Sequence, residues 1–366
     1  MRRLVASSLF AIALSFSAIL CVRSHEHHGD SSCEMDPNVR VLAEYRQGIV
    51  TVDGHLDDWD TIDGSEFELR PALDPDEDKK YQGGKITVKA IHDGSNIYFA
   101  LQVDGEYAYA KGDSKQCPSV ALMFQVGENA TYDSMGGCAN LPGSCTSQSC
   151  QGHEVDIMHF SIGTAIPGRL YGGNIFDNTA GNGGDRFGHL VDVYAWNPHC
   201  RYLDGIGPNV NNTNALNDWH GAWWHNSLML HSGYIEGDSP YATQGQKGTY
   251  YFEFSRPLRT MDCFQQDVQF TIGQVSKIAV AFWYPTGGQP WSKSQHYSGS
   301  CNWIPLDVAS ASQASLSHSS NSSWDAMTAF SLLLSVVAFC ISIFVGYWVS
   351  KRKHVPFMPI EMSPMR

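Results

Sequence analysis

"KITVKAIHDGSNIYFALQVDG", residues 85–105, is the stretch that decides the fold. Apolar and polar side chains alternate on both sides of the segment DGSN at residues 93–96. Alternation with a period of two is typical of a strand with one buried face, and Asp, Gly, Ser and Asn favour tight turns. The stretch therefore predicts a β-hairpin.

Similar short patterns recur along the chain. They are SVALMFQVG (119–127), EVDIMHFSIG (154–163), GTYYFEFSRPL (248–258), KIAVAFWYP (277–285) and NWIPLDV (302–308). No helical pattern connects them, and strands without crossover helices favour an antiparallel β-sandwich. We therefore expect an all-β fold, an antiparallel β-sandwich with long loop insertions, the longest of them at residues 168–249.

The stretch "IVTVDGHLDDWD", residues 49–60, is rich in aspartate. Counted from Asp53, its glycine comes too early and position 12 is not Glu, so it does not match an EF-hand loop. We interpret it as a strand that ends in an Asp-Gly turn and returns Trp59 to the core. A Ca²⁺ site of another kind, built from Asp57 and Asp58, is the alternative.

Two apolar segments predict how the chain is placed in the cell. The first follows Arg2 and Arg3 and is typical of a signal peptide; an N-terminal anchor helix is the alternative. The second, residues 326–349, is long enough to span a bilayer and precedes a basic KRK segment. We expect a single-pass type I membrane protein whose bulk is lumenal or extracellular, on the cell surface or an endomembrane.

The predicted organisation has six parts. They are a signal peptide at 1–24, a polar lead at 25–38, the β-sandwich domain at 39–308, a Ser-rich stalk at 309–324, a transmembrane helix at 325–350 and a cytoplasmic tail at 351–366.

Charge and motifs exclude several functions. The formal net charge is −13, and basic residues cluster only in the tail, which argues against a nucleic-acid partner. The sequence lacks the Gly-x-Ser-x-Gly, HExxH, phosphate-loop and dinucleotide motifs, so it gives little support for a hydrolase.

Cysteines and sequons are consistent with export. Two of the ten cysteines, Cys21 and Cys340, lie in the apolar segments. The spacing of the others does not fit a zinc site, so we expect disulfides among Cys33, Cys117, Cys138, Cys145, Cys150, Cys200, Cys263 and Cys301. The predicted glycosylation sites are Asn129, Asn211 and Asn321.

Two loops contain candidate metal ligands. Met135, in SMGGC at residues 134–138, is either a packing residue or a thioether ligand for haem iron or copper. Lys293 and His296 lie in an aromatic-rich loop at residues 287–303. The lysine is either an ordinary surface charge or, when desolvated, a metal ligand, whereas histidine is the easier ligand on general grounds.

A third candidate is DWHGAWWHN at residues 218–226. Its histidines and tryptophans could form a platform for a sugar ring or a second metal site. We favour packing or a pocket wall.

Several of these segments in order resemble the haem-binding domain of the ethylbenzene dehydrogenase small subunit. They are VDGHLDDWD (52–60), SVALMFQVG, SMGG (134–137), HEVDIMHF (153–160) and the ending VAFWYPTGG…KSQHYSGSCNWIPLDV (280–308). Dimethylsulfide dehydrogenase has a similar subunit. The resemblance implies a β-sandwich akin to carbohydrate-binding modules, one b-type haem bound through a Met and a Lys, and electron transfer.

Carried over to this chain, the resemblance implies Met135 as one axial ligand and Lys293 as the other. Lys293 lies farther from Trp303 than the family's Lys does from its Trp, and His296 is nearer, so the two are alternatives. Phe282, Trp291 and Tyr297 would supply the apolar walls.

The expected function is electron transfer by a membrane-anchored domain that binds haem b. Its partner would be a redox protein or a membrane cytochrome, and by itself it would be an electron-transfer protein rather than a stand-alone enzyme. The alternative is a cell-surface carbohydrate-binding or adhesion module without haem. In that case Trp219, Trp223 and Trp224 would stack on sugar rings.

Overall fold

The described residues of this computed structural model form two compact units within 1–311 and 312–366. The structure describes residues 38–48, 50–72, 80–110, 113–133, 135–137, 153–163, 165–173, 190–198, 200–207, 210–212, 218–228, 241–291, 296–311 and 326–351. The predicted signal peptide, most of the polar lead and the cytoplasmic tail after Lys351 lie outside these residues.

The first unit is built from β-strands. In chain order they are β1 (Val41–Tyr45), β2 (Ser65–Glu68), β3 (Arg70–Pro71), β4 (Lys85–His92), β5 (Asn96–Glu106), β6 (Ser119–Gln125), β7 (Val155–Ser161), β8 (Tyr171–Gly172), β9 (Leu190–Asn197), β10 (Cys200–Leu203), β11 (Ile206–Gly207), β12 (Val210–Asn211), β13 (His220–His225), β14 (Lys247–Pro257), β15 (Val275–Trp283), β16 (Tyr297–Ser298) and β17 (Ile304–Val308). Among the described residues up to 310, the helical segments are two 3-10 turns, Asp57–Trp59 and Ser114–Gln116.

The strands join into one long sheet, and β11 and β12 form a separate pair. The order along the sheet is β10-β9-β7-β6-β15-β17-β1-β4-β5-β14-β13-β8. The predicted hairpin is confirmed: β4 and β5 pair antiparallel, with Ile86 opposite Val103 and His92 opposite Ile97. Each of the other predicted strand segments contains a strand.

The sheet folds back on itself, so that its two halves pack face to face. Phe99 on β5 and Phe124 on β6 lie with ring centroids 5.7 Å apart, although four strands separate β5 from β6 along the sheet. Phe160 on β7 contacts Phe252 on β14 in the same way, at 6.1 Å. The two layers enclose a main core of aromatic and aliphatic side chains, which gives the sandwich architecture.

One strand differs from the antiparallel expectation. β1 lies parallel to both neighbours, with Val41 opposite Leu306 of β17 and Ala43 opposite Ala90 of β4. The backbone N–H of Ala309 also donates to the Ala43 carbonyl at 3.0 Å. A tight turn forces antiparallel pairing, but no such turn joins β1 to either neighbour, so parallel pairing is open to it.

The predicted insertion at residues 168–249 contributes strands to the sheet. β9 and β10 extend one end of it, and β13 pairs with β14 over six residue pairs near the other end. The HGAWWH segment of β13 buries Trp223 completely. The long, Gly- and Asn-rich connections around these strands conceal their pattern in the sequence.

The aspartate-rich stretch IVTVDGHLDDWD, described from residue 50, forms a turn but not the predicted strand. Residues 50–56 are irregular, and a 3-10 turn follows at Asp57–Trp59. Asp53 Oδ1 accepts a hydrogen bond from His55 N at 2.9 Å, and Asp58 Oδ2 accepts one from Thr51 N at 2.8 Å. These carboxylates therefore organise the turn.

A buried glutamate fastens this turn to the sheet. Glu253 on β14 accepts hydrogen bonds from the indole Nε1 of Trp59 at 2.7 Å and from the backbone N–H groups of Asp53 and Gly54 at 2.9 and 2.6 Å. Burial raises the pKa of Glu253 to about 7, although the three donors oppose this shift. Trp59 is fully buried, as predicted.

The cysteines differ in part from the disulfide prediction. Cys200 and Cys301 are disulfide-bonded, whereas Cys117 and Cys263 have free thiols. Cys117 is buried with its sulfur 3.1 Å from Ala110 N, and burial raises the pKa of its thiol to about 12. The thiol of Cys117 therefore has the character of a packing group. The predictions for Cys33, Cys138, Cys145 and Cys150 lie outside the described residues.

The second unit contains α1 (Ala326–Lys351). Among the described residues, no helix combines the length and the hydropathy required to cross a membrane.

Candidate functional site

A second apolar cluster lies on the sheet face opposite the main core, on β9, β7, β6 and β15. Side chains alternate along β6, so Val120 and Leu122 belong to the main core while Ala121 and Met123 point to the other face. We call this group the outer cluster; it consists of Ala121, Met123, Ala130, Met135, Val155, Ile157, Val193, Ala195, Ala281, Trp283 and Trp303.

The outer cluster combines small side chains with large, partly exposed ones. Ala121 lies between Ala281 on β15 and His159 on β7 in the cross-strand register. Met123 and Trp283 are only half-buried. Short side chains on a sheet face, flanked by large apolar ones, are suited to a flat apolar ligand.

Met135 reaches this cluster from the loop between β6 and β7. Its backbone has φ 45°, which is uncommon for a residue other than glycine. Gly136 follows with φ 92°, and a Cβ at that position would lie 2.1 Å from the His153 carbonyl oxygen. The Gly136 N–H donates to the Thr131 carbonyl at 2.8 Å. This tight turn explains the Met-Gly sequence, and backbone strain of this kind is often found at functional sites.

Hydrogen bonds join the Met135 loop to the segment at residues 296–303. Tyr132 donates its hydroxyl proton to the Ser300 carbonyl at 2.5 Å, and its oxygen also contacts Ser298 Oγ. Trp303 Nε1 donates to the Ala130 carbonyl at 3.0 Å. The two loops predicted to hold a metal are therefore adjacent.

His296 lies beside the outer cluster through its contact with Trp283. The two rings stack with centroids 4.9 Å apart and an interplanar angle of 29°. Trp283 also contacts His159, at 5.1 Å, and the predicted wall residue Trp291, at 5.8 Å. Lys293, the alternative ligand, lies outside the described residues.

His159 is a residue of this face that sequence reasoning missed. Its Nε2 lies 2.5 Å from Ser119 Oγ on β6. The available signal was its position two residues after Ile157, because residues two apart on a strand share a face.

The other two predicted wall residues lie on the interior side of the sheet. Phe282 is fully buried in the main core, and its ring lies 5.2 Å from that of Tyr81. Tyr297 is partly buried against the same core and also lies 5.2 Å from Tyr81. The structure therefore does not bring Phe282 and Tyr297 together with Met135.

The aromatic segment of β13 is a packing element. Trp219 and Trp223 are buried, and Trp223 Nε1 donates to the Ala165 carbonyl at 3.1 Å. Trp224 is half-buried and lies 4.1 Å from the ring of His55. Burial lowers the pKa of the neighbouring His225. The preference for packing is confirmed, and Trp219 and Trp223 are not exposed for sugar stacking.

Two of the predicted glycosylation sites are accessible. Asn129 and Asn211 are exposed, and Asn321 lies outside the described residues. Glycosylation at these asparagines stays a prediction.

Together, the fold and the face define a mostly β protein with one α-helix among its described residues, and with a partly exposed apolar cluster and a strained methionine loop on one layer of its sheet. The family model of ethylbenzene dehydrogenase matches residues 56–298. The chain belongs to this family.

Several solved structures are similar to this chain at low identity and low TM-score. One is the crystal structure of a protein from Bacteroides uniformis ATCC 8492 named for carbohydrate binding, with 11% identity and a TM-score of 0.37, covering 73% of this chain and 97% of that chain. Another is a family 9 carbohydrate-binding module from Caldicellulosiruptor kristjanssonii in complex with glucose, with 9% identity and a TM-score of 0.33, covering 74% and 95%. None of the curated proteins is similar enough to this chain to count as a relative.

Proposed function

We propose that the outer cluster binds a b-type haem and that the protein transfers electrons. The observation that carries this proposal is the convergence of the strained Met135 loop and the 296–303 segment on one partly exposed apolar face. Membership of a family named for a dehydrogenase supports a redox role.

The residues present fit such a cofactor. Met135 offers a soft thioether, His296 offers an imidazole, and Lys293 is the alternative second ligand that the resemblance implies. Ala121, Ala281 and Met123 would pack against the macrocycle. A haem with both axial positions filled by protein side chains exchanges electrons without readily binding oxygen.

Trp283 and a partner protein would support electron transfer by the bound haem. Trp283 contacts both His159 and His296, so it would hold the rings at the edge of the site in place. The electron donor or acceptor would be a redox protein or a membrane cytochrome. The proposal describes a carrier rather than a stand-alone enzyme.

The haem proposal predicts a specific effect of Met135. The purified full-length chain reconstituted with haem should show a Soret band and sharp bands on reduction. Met135→Leu keeps the volume of the side chain but removes the thioether. We expect it to lower haem affinity at least about tenfold, because loss of even a supporting residue costs that much at metal sites. Absorption spectra and haem titration measure both effects.

Met158→Leu is the matched control, because Met158 lies on β7 but is buried in the main core, on the other side of the sheet from the outer cluster. It should leave the spectrum unchanged. Lys293→Leu and His296→Phe, compared side by side, identify the second ligand by which of them alters the reduced bands. A chain that takes up no haem would refute the proposal, and glycan binding by that haem-free chain would favour a carbohydrate-binding module.

We also propose that residues 326–349 anchor the chain in a membrane, with the β-unit lumenal or extracellular. The support is the absence of charged residues from this predominantly apolar segment, the exposed apolar side chains of Leu334, Phe339 and Phe344, and the basic residues that begin at Lys351.

Membrane extraction tests the anchor. The full-length chain should stay in the membrane pellet after alkaline carbonate treatment, whereas a chain that ends at Ala311 should be released. Release of the full-length chain by carbonate would contradict the anchor.

A further inference from the structure

The interior of the β-unit contains an acidic group that the proposed haem site does not use. Asp156 lies on β7, Asp192 on β9, and Asp267 in the segment between β14 and β15. One carboxylate oxygen of each lies within 4.8 Å of those of the other two, and all three side chains are buried. Alternation along β7 and β9 turns Asp156 and Asp192 toward the main core, away from the outer cluster.

A buried guanidinium compensates only part of this charge. Arg256 Nη1 donates to Asp156 Oδ2 at 2.5 Å, and Nη2 donates to the Val268 carbonyl at 3.2 Å. Nη2 lies 3.9 Å from Asp267 Oδ2. Arg256 therefore pairs closely with Asp156. The carboxylates of Asp192 and Asp267 lie in the same buried group without an equally close positive charge. Buried charges without a partner are very costly.

Buried polar atoms at this group also lack partners. Within the described part of the chain, Asp204 Oδ1, Asp267 Oδ2 and Arg256 Nε accept or donate no hydrogen bond. Asp204 follows β10 and is only 7% exposed, and its backbone N–H donates to the Asp192 carbonyl at 3.1 Å. Native proteins rarely leave such oxygens unpaired, so Asp267 Oδ2, inside the group, indicates a missing positive partner.

The pKa values of the buried carboxyl groups are consistent with a missing positive partner. Burial, and then the neighbouring Asp156 carboxylate, raises the pKa of Asp267 to about 8. Burial, followed by Asp262 and Asp156, raises the pKa of Asp204 to about 7. Burial, followed by Asp267 and Asp156, also raises the pKa of Asp192 well above its ordinary value. The ionised forms of these side chains need a neutralising partner.

We propose that Asp156, Asp192 and Asp267 form a structural Ca²⁺ site inside the β-sandwich. The donors are all carboxylate oxygens, without a thiolate or imidazole, which suits Ca²⁺ better than zinc or copper. Ca²⁺ accepts irregular oxygen geometry, whereas Mg²⁺ requires near-ideal octahedral coordination and keeps its water. The ion joins β7 and β9 to the segment between β14 and β15.

Thermal unfolding of the purified full-length chain tests this site. Millimolar CaCl₂ should raise the Tm by roughly 5–10 °C relative to EDTA, because a ligand that binds only the folded state stabilises it. Metal analysis after gel filtration should find one Ca²⁺ per chain. Asp192→Asn and, separately, Asp267→Asn should remove the Ca²⁺-dependent shift.

Asp57→Asn is the matched control. Asp57 is exposed and belongs to the alternative Ca²⁺ site predicted in the aspartate-rich turn at residues 50–60. It should keep the full shift. Loss of the shift in Asp57→Asn, or an equal shift with MgCl₂, would overturn the assignment. A wild-type chain that retains no Ca²⁺ and melts at the same temperature in CaCl₂ and EDTA would also overturn it. In that case, a more stable Asp192→Asn variant would show that protons neutralise the group.

Discussion

Gly54→Ala should lower the free energy of unfolding by about 3–5 kcal/mol, since it combines backbone strain with a clash in a packed interior. Gly54 has φ 86°, and a Cβ there would lie 2.5 Å from the carbonyl carbon of Trp223. Trp223 is held in β13 by its pairing with Phe252, so its backbone cannot easily move. A displaced Gly54 would also weaken its hydrogen bond to Glu253.

Denaturant unfolding measures this loss, and Gly273→Ala is its control. Gly273 also has a positive φ, 83°, but a Cβ there would meet nothing within 4 Å. That variant should lose only about 1 kcal/mol, the cost of the left-handed backbone alone. Equal losses in the two variants would show that contact between the turn and β13 does not contribute to the free energy of unfolding.

Arg256→Met should cost about 3–5 kcal/mol in the absence of Ca²⁺, because it leaves buried carboxylates without their counter-charge. Burial lowers the pKa of Arg256, but Asp156, Asp267 and Asp192 outweigh this effect and raise it overall. The guanidinium therefore stays charged. Removing it forces the carboxylates either to take up protons or to remain ionised without a partner.

The loss of stability in Arg256→Met should become smaller as the pH falls. Carboxyl groups with raised folded-state pKa values stabilise the fold at low pH, and this contribution is lost as pH rises through those values. The deficit of Arg256→Met should therefore shrink toward acidic pH. Arg259→Met, at an exposed arginine, should stay within about 0.5 kcal/mol of wild type at every pH. A deficit in Arg256→Met that does not change with pH would contradict this account.

The elements that the sequence predicts well are those specified by neighbouring residues. The hairpin of β4 and β5 follows from local alternation and a short turn, so its register could be expected. The parallel pairing of β1 could not, because its partners lie far along the chain. The same holds for Glu253 and Trp59, which meet only in the folded protein.

For the candidate site, the sequence also fails to show which side chains of a strand face the site. In KIAVAFW, apolar residues occupy both faces of β15, so the sequence cannot tell which face is interior. Phe282 is therefore predicted as a wall of the site, whereas the structure places Phe282 in the main core and Trp283 in the outer cluster. The Met135 loop could be predicted because Met beside two glycines is an uncommon combination with a definite backbone requirement.

The position of β1 has a consequence for how the protein is made. β1 leaves the ribosome early, but one of its two neighbours, β17, is made only near the end of the β-unit. Until β17 emerges, one edge of β1 has no partner, and unpaired edges are prone to association with other chains. The pairing around β1 is therefore completed only after β17 has been made, and pairing between such distant segments is slow.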